Sequence, residues 1–243
     1  MTRAAYRILQ ADPVMAGLIA AAGRYRPEPM PDQPPFEALA RAIAHQQLHG
    51  VAAERILSRF IAACGNDCFP LPQQVIDATE ARLRACGFSY AKIAALKDLA
   101  AKTIDGIVPA RPQLEALSDL EIIERLTEVR GIGRWTVEMM LMFQLQRPDV
   151  LPVDDFGVRN GFRLAYRLRG MPRARALAEF GERWKPHRSL AAWYLWRAND
   201  LARVKRLPHG GRPPRVALQP VPKKAVKKKN KPAPPKRRQR AHK

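Results

Sequence analysis

The chain has 243 residues, with 43 Lys and Arg against 22 Asp and Glu and a formal net charge of +21 at pH 7. That balance points to a polyanionic partner such as nucleic acid. Three cysteines (Cys64, Cys68 and Cys86) are too few for a disulfide framework and read as reduced, inert thiols of a reducing cytosol.

In chain order, hydrophobic periodicity and capping residues predict helices over about 12–22, 35–47, 50–63, 79–86, 89–105, 118–129, 133–145, 155–168, 172–183 and 187–200. Period-two alternation is nearly absent, so the expected fold is all-α. No internal repeat is visible. Asp12-Pro13 opens the first of these helices as N-cap and N1 residue and is not a signal peptide. The apolar run that follows, Val14 to Ala22, is too short to span a bilayer. Further on, Ser118 followed by Glu121 makes a capping box. Leu120, Ile122, Ile123, Leu126 and Val129 then recur at helical spacing.

Gly131 and Gly133 break that helix, and a second begins near Gly133 with Trp135, Met139 and Met142 on one side. Two short helices hinged on Gly-Ile-Gly leave backbone N–H groups unpaired at the start of the second. A helix N-terminus of this kind binds phosphate through its free donors and its dipole. An αα-corner packed purely for structure has the same local signature. About twenty residues on stands Leu151-Pro-Val-Asp-Asp-Phe-Gly-Val-Arg. One of its two acids would cap the next helix, whose apolar pattern is Phe156, Val158, Phe162, Ala165 and Tyr166. The second acid exceeds what capping requires, and a carboxylate beside a phosphate grip is costly unless its charge is used.

From Arg203 to Lys243 there are sixteen Lys or Arg, eight Pro and no acid. This segment holds +16 of the +21 and cannot bury a core, so 206–243 is expected to be a disordered basic tail behind a folded domain of 1–205. A non-specific DNA tether is the functional reading, with nuclear targeting and simple solubilisation as the rivals.

Hairpin and acids together resemble the helix-hairpin-helix and Gly/Pro-Asp element of the HhH-GPD base-excision DNA glycosylase superfamily. Within it, the chain resembles the alkylpurine (DNA-3-methyladenine glycosylase II) branch. Two further stretches agree, Ala44-His-Gln-Gln-Leu-His-Gly-Val-Ala-Ala and Arg183-Trp-Lys-Pro-His-Arg-Ser-Leu-Ala-Ala-Trp-Tyr-Leu-Trp-Arg. The likeness covers most of residues 10–200. It implies two helical lobes with the active-site cleft between them, the middle lobe spanning about 45–155. Many relatives carry an extra β-rich N-terminal domain, for which residues 1–30 are too few.

The resemblance also implies roles. Asp155 matches the catalytic aspartate and Asp154 the acid beside it. Trp135, Met139 and Trp196 fall on base-pocket positions, with Met139 where some relatives place an aromatic ring. Trp184 and Trp193 read as core. Leu48 matches the wedge that fills the gap left by an everted nucleotide, flanked by Gln47 and His49. Gly131, Gly133, Arg134 and Arg159 complete the expected DNA contacts.

Bifunctional members have a lysine at the position of Trp135. An indole cannot form a Schiff base, so no AP-lyase activity is expected. The cluster-bearing members have four cysteines after the aspartate and this chain has none there. No cofactor or metal is expected, and a monovalent cation at the hairpin stays open. The expected activity is therefore hydrolytic removal of 3-methyladenine, 7-methylguanine and related bases from double-stranded DNA. A monomer in the cytoplasm, at the bacterial nucleoid, is the default. The alternatives are a glycosylase for another lesion and a non-catalytic helix-hairpin-helix DNA-binding module.

Overall fold

The computed structural model describes residues 2–26, 33–208, 216 and 218. The tail expected over 206–243 lies almost wholly outside them. Thirteen α-helices are present among the described residues: α1 Arg3–Gln10, α2 Pro13–Ala22, α3 Pro35–His45, α4 Gly50–Cys64, α5 Pro72–Asp77, α6 Glu80–Cys86, α7 Tyr90–Ile104, α8 Arg111–Ala116, α9 Asp119–Thr127, α10 Arg134–Phe143, α11 Phe156–Ala165, α12 Ala174–Gly181 and α13 Arg188–Arg203. A 3-10 turn, Glu182–Trp184, joins the last two. No strand is found among the described residues; Pro172 and Leu218 form an isolated antiparallel bridge. No described helix is long and apolar enough to cross a membrane.

Capping chemistry sets several helix starts. The Asp12 Oδ1 accepts the N–H of Val14 at 2.9 Å, with Pro13 at the first helical position. Ser118 and Glu121 form the expected reciprocal box, Glu121 Oε2 accepting Ser118 N–H at 2.8 Å. Helices α1, α5 and α8 had no counterpart in the sequence reading. The last two have six residues each, too few for an apolar period to register.

The helices sort into two groups. In one, α3 packs on α4 and α7, α5 and α6 on α7, and α10 on α9 and α3; in the other, α1, α2 and α11 gather around α13 with α12 and the 3-10 turn. Helix α3, which begins at Pro35, packs with the first group. In the second, Phe162, Tyr166, Phe180 and Trp184 interlock with ring centroids 4.4–6.3 Å apart, edge-on except for the tilted Phe162–Tyr166 pair. The Tyr166 hydroxyl donates to Asp12 Oδ2 at 2.6 Å, tying the end of α11 to the cap of α2. Burial pushes that phenol far above its ordinary pKa.

Helices α11 and α13 pack closely, and their approach depends on glycine. A Cβ on Gly161 would run into the carbonyl of Leu195, its carbon 2.6 Å away. A Cβ on Gly157 would stand 2.8 Å from Trp196 Cδ1. Helix periodicity identifies the apolar face of α11 but not this pair of small residues, one turn apart, which sets how closely its neighbour lies.

Three apolar residues depart from the expected faces. Leu120 and Phe156 are exposed, the latter by 71%. Ile122, Ile123, Leu126 and Val129 supply the buried arc of α9, leaving Leu120 outside it. Phe156 follows a cap residue turned toward α13, and the helical rotation sends the next side chain outward. On α10, Phe143 rather than Met142 continues the row of Trp135 and Met139 along one cavity wall.

Candidate active site

The hairpin forms as the glycines require. Val129 and Ile132 are buried beneath it, and Gly131 takes φ = +78°, a left-handed conformation that strains any side-chain-bearing residue. Gly133 opens α10 without a side-chain cap and is itself exposed, as are Arg134 and Trp135. The first N–H groups of α10 therefore keep a capacity for anionic oxygen. The turn is braced from α7, where Asp98 Oδ2 accepts the N–H of Arg130 at 2.7 Å and Lys102 Nζ at 2.9 Å. These bonds pull the Asp98 pKa down despite its partial burial.

The segment from α10 to α11 is anchored by the Arg-Ser pair that opens α13. Arg188 grips Asp149 with Nε and Nη2 at 2.8 and 2.9 Å. The buried Ser189 hydroxyl donates to Arg147 O at 2.6 Å and accepts Val150 N–H at 2.9 Å. This pinning delivers the two acids to the mouth of α11.

There the acids part. Asp155 is the N-cap: its Oδ1 accepts the N–H of Val158 at 2.7 Å. The same oxygen accepts the indole N–H of Trp196 at 2.8 Å, and Oδ2 accepts that of Trp135 at 2.8 Å. Asp154 is exposed and takes no part in these bonds. One carboxylate is thus both the cap and the group held between two tryptophans, from α10 and α13.

The two tryptophans that hold this carboxylate each line a cavity, and Asp155 itself lines neither. Trp135, Met139, Phe143, Gln47, Gly131 and Gly133 line one of about 650 Å³ between α10 and α3. Trp193, Trp196, Tyr25, Arg197 and again Phe143 line another of about 700 Å³. The Phe143 and Trp196 rings stack at 5.8 Å, 23° from parallel. Electron-rich ring faces of this kind suit a flat, electron-poor or cationic partner. Phe143 was not a candidate from sequence; its i+8 spacing from Trp135 was the available signal.

Of the remaining candidates, Leu48 projects into solvent, 41% exposed, between Gln47 and His49, which are exposed as well. His45, unremarked in the sequence, faces the first cavity and pairs with Glu54 at 2.9 Å. Trp184 is fully buried as expected, while Trp193 is only partly buried, packed on Tyr25 with centroids 4.9 Å apart. Arg159 is half-buried and tied to the backbone. Its guanidinium donates twice to Pro172 O, at 2.6 and 3.2 Å, through Nη2 and Nε, closing α11 onto the start of α12.

Arg134 is exposed, but its Nε is held at 2.9 Å by Glu138. Glu138 is the charged residue the sequence gave no reason to notice. Only 4% exposed, it sits one turn into α10. Burial raises its pKa; Arg134 opposes the shift, while the nearby charges of Asp154 and Asp155 add to it.

Residues 40–187 match the HhH-GPD superfamily of base excision DNA repair proteins. The chain belongs to that superfamily. It is 44% identical over 203 residues to DNA-3-methyladenine glycosylase 1 of Schizosaccharomyces pombe, covering 83% of this chain and 89% of the relative. The structure of that yeast enzyme in complex with abasic DNA superposes with a TM-score of 0.73, covering 83% of this chain and 98% of that one. A DNA-3-methyladenine glycosidase from Bacillus halodurans superposes with a TM-score of 0.75 at 31% identity, covering 83% and 92%. The helix-hairpin-helix of this superfamily is the α9–α10 corner, and Asp155 stands beyond it at the start of α11.

Proposed function

We propose that the protein is a DNA-3-methyladenine glycosylase. It hydrolyses the N-glycosidic bond of alkylated purines, chiefly 3-methyladenine and 7-methylguanine, in double-stranded DNA and leaves an abasic site. The observation that carries this reading is the carboxylate of Asp155, fixed by two indole N–H groups beside aromatic cavities.

The glycosidic bond is shielded in a stacked duplex, so the nucleotide must first be everted. Leu48 is assigned as the wedge, with Gln47 and His49 beside it at the base edges, and the N-terminus of α10 with Arg134 as the phosphate grip. Arg159, whose Nε and Nη2 are spent on Pro172 O, is assigned as a weaker phosphate contact. As the bond to C1′ breaks, its electron pair neutralises the methylated purine, and positive charge builds on the sugar. Asp155 faces that charge with its position already set, so it stabilises the transition state more than the ground state. Water adds to C1′, and its proton passes to the carboxylate and on to solvent. The departing base needs no proton because methylation has already made it cationic. Trp135, Met139, Phe143 and Trp196 are assigned to its pocket.

With an indole at position 135 there is no amine to attack the sugar, and the reaction is assigned as hydrolysis without strand cleavage. It requires no metal or cofactor. A monomer acting on nucleoid DNA in the cytoplasm completes the reading.

Release of free base from methylated duplex DNA tests it. The wild-type protein is expected to release 3-methyladenine and 7-methylguanine, and Asp155→Asn to bind duplex normally while losing most release. Equal loss in Asp154→Asn, or no release by the wild type, would overturn the assignment.

A further inference from the structure

The loop bearing Leu48 is held by groups outside the reaction itself. Residues 46–49 link α3 to α4, and Gln47 sits at φ = +57°, a left-handed conformation that a residue with a Cβ adopts only under constraint. The constraint comes from two directions. From α7, the Lys92 ammonium donates to Ala44 O at 2.7 Å and to Gln46 O at 2.8 Å, carbonyls at the C-terminal end of α3. A cation there satisfies orphan acceptors and the negative end of the helix dipole together. Its partial burial, which lowers the Lys92 pKa, is the cost of that placement. From the loop itself, Gln46 Nε2 donates to Gly131 O at 2.8 Å, bridging to the hairpin 85 residues away.

We propose that Lys92 and Gln46 are positioning residues for base eversion, which lock the Leu48 loop to α7 and to the hairpin so that wedge and phosphate grip form one rigid unit. The proposal rests on the assignment of Leu48 as the wedge. An inserted side chain offsets the unstacking cost only if little entropy is spent in ordering it on the DNA. A loop free of Lys92 and Gln46 would spend that entropy at each encounter. Lys92 lines neither cavity, so it acts on eversion and not on bond cleavage; Gln46 also borders the cavity between α3 and α10, and its bond to Gly131 O is the part assigned to eversion.

Single-turnover excision of 7-methylguanine by the full-length protein tests this, with the lesion placed either opposite cytosine or opposite a tetrahydrofuran abasic analogue. The unpaired lesion everts at lower cost and depends less on the wedge. Lys92→Met, which removes both hydrogen bonds, is expected to slow excision opposite cytosine by about tenfold or more and to leave the rate opposite the analogue within about threefold. Gln46→Leu, which also alters a cavity wall, should show the same selective pattern more weakly, and Lys92→Gln serves as the test if Lys92→Met does not fold. Lys92→Arg, which can still reach two carbonyls, should recover part of the loss. Leu48→Ala should reproduce the selective defect, and Lys92→Met should add nothing to it. Equal slowing on both substrates, or additivity with Leu48→Ala, overturns the proposal. A selective defect in Leu48→Ala with none in Lys92→Met or Gln46→Leu overturns it while leaving the wedge intact. No selective defect in Leu48→Ala removes the wedge assignment and the proposal with it.

Discussion

Gly157→Ala separates stability from activity at this site. The added Cβ would lie 2.8 Å from Trp196 Cδ1, 3.0 Å from its Nε1 and 3.1 Å from Asp155 Oδ1. Ordinary contact at such a position is about 3.6 Å, so the indole must retreat by roughly 0.8 Å. Its N–H bond to Asp155 is 2.8 Å long, and a retreat of that size along the bond leaves it about 3.6 Å, beyond hydrogen-bonding range. A misplacement near 1 Å at a reacting centre costs on the order of a hundredfold in rate. The stability change should be small. Overpacking costs about 1–3 kcal/mol, but an indole on a partly open cavity wall yields more readily than a core residue, and replacing a helical glycine returns about 0.5–1 kcal/mol. The measurement is single-turnover release of 7-methylguanine at saturating protein, alongside a thermal melt. A fall of ten- to a hundredfold with a melting temperature within a few degrees of wild type is expected. Gly161→Ala, whose Cβ meets the Leu195 backbone, should instead destabilise the fold outright. If Gly157→Ala folds and excises at the wild-type rate, the claim that Trp196 holds Asp155 in its working position is wrong.

Trp135→Phe and Trp196→Phe keep an aromatic face but remove one donor each from Asp155; each should lower the single-turnover rate by roughly tenfold with binding to undamaged duplex unchanged. Glu138 has a raised pKa in the fold, so its charged form costs stability above that pKa and the cost disappears as pH falls through it. Glu138→Gln should therefore raise the melting temperature by a few degrees at pH 8, with the gain shrinking toward pH 5, as thermal melts across that range will show. Truncation after Pro208 removes most of the excess positive charge and should weaken duplex binding by at least about tenfold at low salt and flatten the dependence of log Kd on log salt, while excision at saturating protein is unchanged.

Much of the site was legible as spacing. Gly-Ile-Gly between two apolar periods specifies a hairpin because only glycine tolerates the reversal, and Asp12-Pro13 and Ser118 with Glu121 announce helix starts through local hydrogen bonds. These features are encoded within a few residues, and the chain carries them openly. Arg159 illustrates the opposite case. Its charge was readable, but its partner is a carbonyl thirteen residues on, and only the folded chain shows that the guanidinium is already engaged. Glu138 was unremarkable for a similar reason: a Glu on an amphipathic helix is usually solvated, and nothing local reveals that this one is buried against other acids.

What the amino-acid order determined by itself is therefore local: an all-α chain, a phosphate-ready helix corner, two acids at a helix mouth and a surplus of positive charge toward the C-terminus. What the tertiary structure decided is which acid is gripped, by which rings, and from what distance. Asp155, Trp135 and Trp196 lie on three helices, and their hydrogen bonds span twenty and forty-one residues of chain. Their meeting depends on α13 lying against the glycines of α11 and on Arg188 and Ser189 pinning the segment that precedes Asp155. Side-chain periodicity records which face is buried; how close two buried faces come is set by packing alone.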